Sequence, residues 1–273
     1  MKRFIALALV AVMAVCVFAG CGDSDTKSSS LNTAEKDTLI VGFDAEFPPY
    51  GYLDEKTNEY TGFDLDLAQA VCDGLGWKLK KQPIEWDSKD SELNSGTIDC
   101  IWNGFTINGR EEDYTWSEPY VDNSQVVVVK KDSDIAKLSD LKGKVVAVQS
   151  DSSALAALTG DDATTENKKL AKTFKELQQI GNYNDALMNL ESGAVDAVCM
   201  DVGVAGYNVK NKADKYKILD EQLSTEQYGI GFKKGNSDLR DTIQKALGKL
   251  VDNGEFMKIA KKYNLEDAVC LGK

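Results

Sequence analysis

The chain has no histidine among its 273 residues. That absence excludes Ser-His-Asp and Cys-His nucleophilic catalysis and the usual histidine-bearing zinc sites. Basic residues are in deficit too: 32 Lys and Arg stand against 44 Asp and Glu, a formal charge of −12. So acidic a chain is a poor partner for nucleic acid or for anionic lipid headgroups. No two of its six cysteines have CxxC spacing, so no metal site is expected from them. The apolar stretch at the amino terminus, Phe4 to Val15, falls short of the roughly 20 residues a spanning helix needs.

That stretch has a different meaning. Lys2 and Arg3 precede it, and Phe18-Ala19-Gly20-Cys21 follows with small residues before a cysteine. An ordinary cleaved secretory signal would fit; a lipobox fits better, with residues 1–20 removed and Cys21 carrying the lipid. Cys16 is the poorer lipidation site because the bulky Val15 precedes it. Acyl chains at Cys21 would tether the protein to a membrane without spanning it. Residues 21–37 hold Ser28-Ser29-Ser30 among Asp, Thr, Lys and Asn and almost nothing apolar, so they read as a flexible tether. From Thr38 the composition turns globular, with length for one large or two medium domains. Cys72, Cys100, Cys199 and Cys270 remain, an even number in an exported chain. They are open to three disulfide pairings or to existence as buried free thiols.

The apolar pattern alternates strand and helix. Leu39 to Phe43 reads as a buried strand, and Phe63, Leu67, Val71 and Leu75 mark one helical face, with Asp64 and Asp66 in its first turn. A strand at Trp77–Gln82, a helix at Asp87–Leu93 and a strand at Ile98–Trp102 follow, which argues for an α/β layer with a mainly parallel sheet. The segment Leu93-Asn94-Ser95-Gly96-Thr97-Ile98-Asp99 is echoed by Leu190-Glu191-Ser192-Gly193-Ala194-Val195-Asp196, and Lys144 to Val148 supplies a second opening strand. Two lobes of similar build are implied. The later run Tyr228 to Phe232 and two helical patterns beyond it bring the chain back, so it crosses between lobes twice and leaves a cleft.

Several polar residues fall at strand ends. Arg110 follows Gly104 and Thr106 closely; it reads either as a guanidinium clamp or as a surface partner of Glu111, Glu112 or Asp113. Asp201 ends a buried strand and is either a helix N-cap or a ligand group. Ser150 to Ser153 is placed to cap a helix whose amides would face a carboxylate. A zwitterionic amino acid needs such a set: a bidentate guanidinium and N–H donors for its carboxylate, carboxylate and carbonyl acceptors for its ammonium. Phe47, Tyr50, Trp86 and Trp102 lie near strand ends and are candidate pocket walls or core.

The ordered blocks Val41–Tyr50, Thr61–Ala68, Leu93-x-Ser95-Gly96-x-x-Asp99, Gly104–Ile107 with Arg110, Trp116–Tyr120, Leu138–Gly143, Ala194–Asp201 and Tyr228–Phe232 resemble the polar amino-acid solute-binding proteins of ABC transporters, extracellular family 3. The resemblance runs from Leu39 to about Leu265. It implies a two-lobed, periplasmic-binding-protein-like type II α/β fold, each lobe a mixed, mainly parallel sheet flanked by helices, joined by two crossover strands. Lobe one would take 38–121 and 226–273, and lobe two 122–225.

By the same resemblance, Arg110 with Thr106, Ser152 and Ser153 holds the α-carboxylate, and Asp201 with the Gly104 carbonyl holds the α-ammonium. Phe47 and Trp86 wall the ligand, and Asp44, Asn103, Gln149 and Met200 meet its side chain. Two departures stand out. One residue fewer separates Thr106 from Arg110 than is usual, with Gly109 available to absorb the shorter turn. Asp151 and Ser153 stand where glycine is usual, and Asp151 is expected to point outward. Asp44 and Glu46 favour a cationic side chain, while Asn103 and Gln149 leave glutamine or cystine open. The implied function is an extracytoplasmic, lipid-anchored binding protein, monomeric, serving an ABC permease. No catalytic residue, cofactor or metal is expected. The rival readings are an enzyme on the same scaffold, with Asp44 or Glu46 as acid or base but neither marked as perturbed, and a sensory lipoprotein.

Overall fold

The computed structural model describes residues 36–273. The expected signal 1–20, the lipidation site Cys21 and almost all of the tether 21–37 lie outside the described residues.

Strand β1 (Thr38–Phe43) buries Leu39, Val41 and Phe43, the alternation that a pleated strand imposes. A three-stranded sheet that periodicity did not announce follows: β2 (Glu46–Phe47), β3 (Gly51–Asp54) and β4 (Glu59–Thr61). Helix α1 (Phe63–Leu75) buries Phe63, Leu67 and Val71 and stops at Gly76, left-handed at φ 70°. β5 (Lys78–Pro83), a short 3-10 turn at Trp86–Ser88, α2 (Lys89–Ser95) and β6 (Cys100–Thr106) complete the first unit. β6 runs four residues past the expected end at Trp102, so Asn103 to Thr106 is strand where a loop was expected. It is held there by antiparallel pairing with the return strand.

After β7 (Tyr114–Trp116) the long strand β8 (Val121–Lys130) leads to a second unit. This holds β9 (Val145–Gln149), α3 (Ser153–Thr159), α4 (Thr165–Ala171), β10 (Glu176–Ile180), α5 (Tyr183–Ser192), β11 (Ala197–Asp201) and α6 (Val202–Asn211). The eighteen-residue β12 (Tyr216–Lys233) returns, and α7 (Ser237–Asp252) and α8 (Glu255–Lys262) pack on α1. Strand order is β10-β9-β11-β8-β12-β6-β1-β5, with β7 also on β12. β8 and β12 pair along most of their length and, as the two strands that cross between the halves, join their sheets into one continuous ladder.

The echo seen in the sequence is a repeat in space. β1 lies between β5 and β6, and β9 between β10 and β11, all parallel. In each unit a helix ends at a left-handed glycine, Gly96 or Gly193, and the aspartate three residues on clips the central strand. Asp99 accepts from the Ile40 N–H and Asp196 from the Val145 N–H, both at 2.7 Å. Asp99 N–H in turn donates to Ile40 and Asp196 N–H to Val145, both at 2.8 Å. These reciprocal bonds satisfy the first groups of each central strand and explain why Asp stands at both positions.

Cys72, Cys100 and Cys199 are buried free thiols and Cys270 a half-buried one, so none of the three disulfide pairings is present.

Candidate functional site

The carboxyl ends of β6 and β11 face each other from opposite halves and bring most of the expected residues to one place. Phe47, Trp86, Gly104 and Thr106 from the β1 half meet Gln149, Ser152, Ser153 and Asp201 from the β9 half around a void of about 10 Å³. Gly104 sits at φ +55°, and a Cβ there would come within 2.8 Å of the Phe47 ring and 2.9 Å of Tyr228. Only glycine fits that wall. The Phe47 ring approaches Tyr183 of the other half at 5.9 Å between centroids.

Arg110 reaches across the cleft beside this void. Its Nη1 donates to the Thr106 carbonyl (3.3 Å) and the Ser153 hydroxyl (3.1 Å), and its Nη2 to the Asp151 carbonyl (3.1 Å). It makes no ion pair with Glu111, Glu112 or Asp113, the alternative left open by its spacing. Gly109 takes φ +78° and the Arg110 N–H closes a turn on Ile107 at 2.9 Å, which absorbs the short spacing.

Asp201 begins α6 but caps nothing. Its Oδ1 accepts from Asn123 (2.8 Å), Gln125 (2.7 Å) and the Tyr228 hydroxyl (2.6 Å), and its Oδ2 from the Tyr183 hydroxyl (3.2 Å). Burial pushes its carboxyl up despite these donors. Ser152 caps α3 by accepting from the Leu155 N–H at 3.2 Å.

Asp44 lies next to the void rather than in it. Its Oδ2 accepts from Gln149 of the other half at 2.7 Å, and its Oδ1 from the Glu46 N–H at 2.8 Å. It lines an adjoining cavity of about 430 Å³ with Glu46, Glu85, Glu92, Trp86 and Asn182. Contrary to the unperturbed state expected from sequence, burial raises the carboxyls of both Asp44 and Glu46, with the charge of Glu85 adding to the rise at Asp44 and that of Asp44 to the rise at Glu46.

Two expected residues are not brought to the void. Asn103 is buried on β6 with neither amide atom hydrogen-bonded, because the pleat sends it to the face opposite Gly104 and Thr106. Met200 is fully buried in the core beside Val198, one residue out of phase with Asp201. Asp151 takes φ +55° and its side chain is exposed, as expected, and its carboxylate also pairs with Lys89 of the other half.

Sequence reasoning missed the residues beneath the void. Asn123 and Gln125 on β8, and Glu226 and Tyr228 on β12, stand two apart on strands and therefore share a face. That i, i+2 polar spacing inside apolar runs was the available signal. Glu226 accepts from Asn123 (2.7 Å), Gln125 (2.8 Å) and Thr106 (2.8 Å), and burial raises its carboxyl to about 7.

A family model for bacterial extracellular solute-binding proteins, family 3, matches residues 39–266. The L-cystine-binding protein TcyA of Bacillus subtilis (strain 168) is 29% identical over 272 residues, covering 96% of this chain and 97% of its own. The arginine-binding extracellular protein ArtP of the same strain is 30% identical over 267 residues, covering 96% and 98%. Among solved structures, an ancestral arginine-binding protein bound to glutamine matches with a TM-score of 0.75 and 39% identity, over 84% of this chain and 98% of that one. With the family model matching residues 39–266 and a relative 30% identical across nearly the whole of both chains, the chain belongs to family 3 of the bacterial extracellular solute-binding proteins.

Proposed function

We propose that the chain is the substrate-binding component of an ABC importer, and that it closes on a polar L-amino acid with a cationic side chain. The observation that carries this reading is Arg110 standing beside the void that Asp201 lines, its hydrogen bonds to Thr106 and Ser153 reaching two residues of that lining: a guanidinium whose donors rest on neutral oxygens, and a carboxylate to which no cation bonds among the described residues. An amino acid's carboxylate would replace the Asp151 and Ser153 oxygens at Arg110 with a charged acceptor, and its ammonium would give Asp201 a cation. A void of about 10 Å³ holds no amino acid, so entry requires the halves to part. Parting would occur by twisting of β8 and β12 near Val121–Gln125 and Ser224–Tyr228, where the lobes 38–121 with 226–273 and 122–225 join.

The acid-lined cavity supports the choice of side chain. Asp44, Glu46, Glu85 and Glu92 surround it without a basic residue, so a guanidinium or ammonium entering from the void would relieve their mutual repulsion. Glutamine and cystine are the weaker ligands on this reading. Lipid attachment at Cys21 and a monomeric state complete the proposal; a lipid-anchored monomer delivers one ligand per docking to a permease.

The test is a melting-temperature panel of residues 22–273 against the twenty amino acids and cystine. A bound amino acid at 100 times its dissociation constant stabilises the fold by about 2.7 kcal/mol. Arg110→Ala and Asp201→Ala are expected to abolish the shift and leave the unliganded protein folded; a mutant that still responds in full removes that residue from the site. A second reading, catalysis, draws on the Glu226 carboxyl held near pH 7, a value suited to a general acid. Release of unchanged amino acid after prolonged incubation would set it aside.

A further inference from the structure

The site described above gives Asp201 the ligand's ammonium, but a second carboxylate lies below it at the hinge. Asp201 is 4% exposed and Glu226 7%. Asn123 Nδ2 donates to Asp201 Oδ1 at 2.8 Å and to Glu226 Oε1 at 2.7 Å; Gln125 Nε2 donates to the same two oxygens at 2.7 and 2.8 Å. The two carboxylate oxygens therefore lie within two hydrogen-bond lengths of each other through either amide. Thr106, which lines the void, also donates to Glu226 Oε1 at 2.8 Å. The carbonyl oxygens of Asn123 and Gln125 are buried without a partner. The cluster thus has more acceptors than donors, and no lysine or arginine bonds to either carboxylate among the described residues.

The elements packed on the pair bring neutral hydroxyl donors and, among the described residues, no positive charge that bonds to it. α5 contributes the Tyr183 hydroxyl, β12 the Tyr228 hydroxyl, and Tyr50 approaches Tyr228 with ring centroids 5.3 Å apart. Burial and the neighbouring acids push all three phenols well up, so they remain neutral. Arg110 lines a groove with Glu226 but spends its hydrogen bonds on Thr106, Asp151 and Ser153. Two negative charges this close in a dry site do not coexist, so in the empty protein one proton stays with the pair.

We propose that Glu226 is a second anionic partner of the ligand's ammonium, and that the Asp201–Glu226 pair releases one proton to solvent when the ammonium binds. The proposal rests on the amino-acid reading above. The ligand keeps its own three ammonium protons; the proton that leaves comes from the carboxylic acid of the pair, so the pair and the ammonium together carry the single negative charge the pair held before, and the ligand's carboxylate is left to Arg110. Binding then tightens as pH rises toward the range where the empty pair loses its proton unaided.

Calorimetry in two buffers of different ionisation enthalpy counts that proton directly. L-Glutamine and L-arginine are suitable probes because neither titrates between pH 6 and 8. At pH 6 we expect close to one proton released per bound glutamine, falling toward zero above pH 8, with Kd dropping about tenfold per pH unit at the acid end. Arginine is expected to release the same proton plus a fraction from Asp44 and Glu46. Glu226→Gln is expected to bind glutamine more weakly, with no proton release and a Kd independent of pH. A glutamic acid that serves only to brace the hinge would leave the proton count of the mutant at the wild-type value, which overturns the proposal. So does wild-type protein that binds glutamine or arginine without releasing a proton, a result that needs no mutant to fold. Failure of both probes to bind at any pH removes the amino-acid reading itself, and this inference with it.

Discussion

Lys89, buried to 1% exposure in the first turn of α2, pairs across the cleft with Asp151, whose side chain is half open to solvent at the start of α3. The same Asp151 receives the Trp86 indole N–H (3.3 Å) and Arg110 Nη2 on its carbonyl oxygen. One residue of the β9 half thus gathers three side chains of the β1 half. Its left-handed backbone, at φ +55°, presents carboxylate and carbonyl to the same side. Asparagine tolerates that conformation nearly as well as aspartate, so Asp151→Asn isolates the charge. A half-exposed pair is worth about 1 kcal/mol, and its loss should weaken amino-acid binding about fivefold, chiefly through faster release. Stopped-flow dissociation at low and high salt checks this: wild-type release should quicken with salt, and the mutant's should not.

Gly203 offers a steric test of closure. It lies in the first turn of α6, and a Cβ there would sit 2.3 Å from the Tyr50 hydroxyl, which belongs to the β1 half. With the halves apart, alanine favours the helix by up to about 1 kcal/mol. With them together it overpacks by roughly 1–3 kcal/mol. Gly203→Ala should therefore leave or raise the melting temperature of the empty protein and weaken ligand binding about tenfold. Small-angle scattering with saturating arginine should show incomplete compaction.

The pH dependence of stability should run opposite to that of most proteins. Asp64, which accepts from the Gly104 N–H (2.5 Å) and the Tyr120 hydroxyl (2.9 Å), and Glu226 are both held by burial at about 7, and burial raises Asp44 and Asp201 as well. An unfolded carboxyl loses its proton near pH 4, so between about 4 and 7 the native state holds protons that the unfolded chain has released. Stability present at low pH is therefore lost as pH rises through 7. Glu191, lowered to about 2 by Lys215, Tyr216 and Lys212, acts in the other direction but only on the acid side of this window. No histidine titrates within it. Urea midpoints of the unliganded protein should fall between pH 5 and 8, by an amount on the order of 1 kcal/mol or more.

The four described thiols give a chemical test. Burial raises Cys72 and Cys199 to about 12 and Cys270 to about 11, and lifts Cys100 well up. Thiolate is the reactive form, so native protein of residues 22–273 should react slowly with a disulfide reagent, and first at the half-exposed Cys270. All four should react on unfolding, and a reductant should leave the melting temperature unchanged.

What could be read from the sequence followed from local pattern. The four-residue spacing from Phe63 to Val71 located α1, and the repeated Ser-Gly-x-x-Asp placed both helix ends and both strand clips. The positions of Ser153 and Asp201 were legible because a strand end and a helix start announce themselves in composition, whereas Thr106 was expected in a loop and lies at the end of β6. Asn103 and Met200 were not separable from their neighbours, since the phase of a fully buried strand leaves no alternation to read. Asp64 looked like a solvated first-turn acid, and only the packing of β6 and Tyr120 against α1 shows it to be buried. Lys89, Asn123, Gln125 and Glu226 act through partners between 62 and 120 residues away, a separation that periodicity does not carry.

The strand order also makes assembly asymmetric in time. β9, β10 and β11 with their helices come from one unbroken stretch, Val145 to Asp201, and their central strand is clipped by Asp196 within it. β1, β5 and β6 come early in the chain, yet the helices that cover α1 are the last two made, α7 and α8. A polypeptide emerging amino-terminus first can pack Tyr50 and Tyr120 on Phe63 early, but the side of Phe63 that meets Phe256, 6.0 Å between ring centroids, stays bare until α8 arrives. The half that begins first is the half that finishes last, and a chain cut short after β12 should be recognised by proteases through α1.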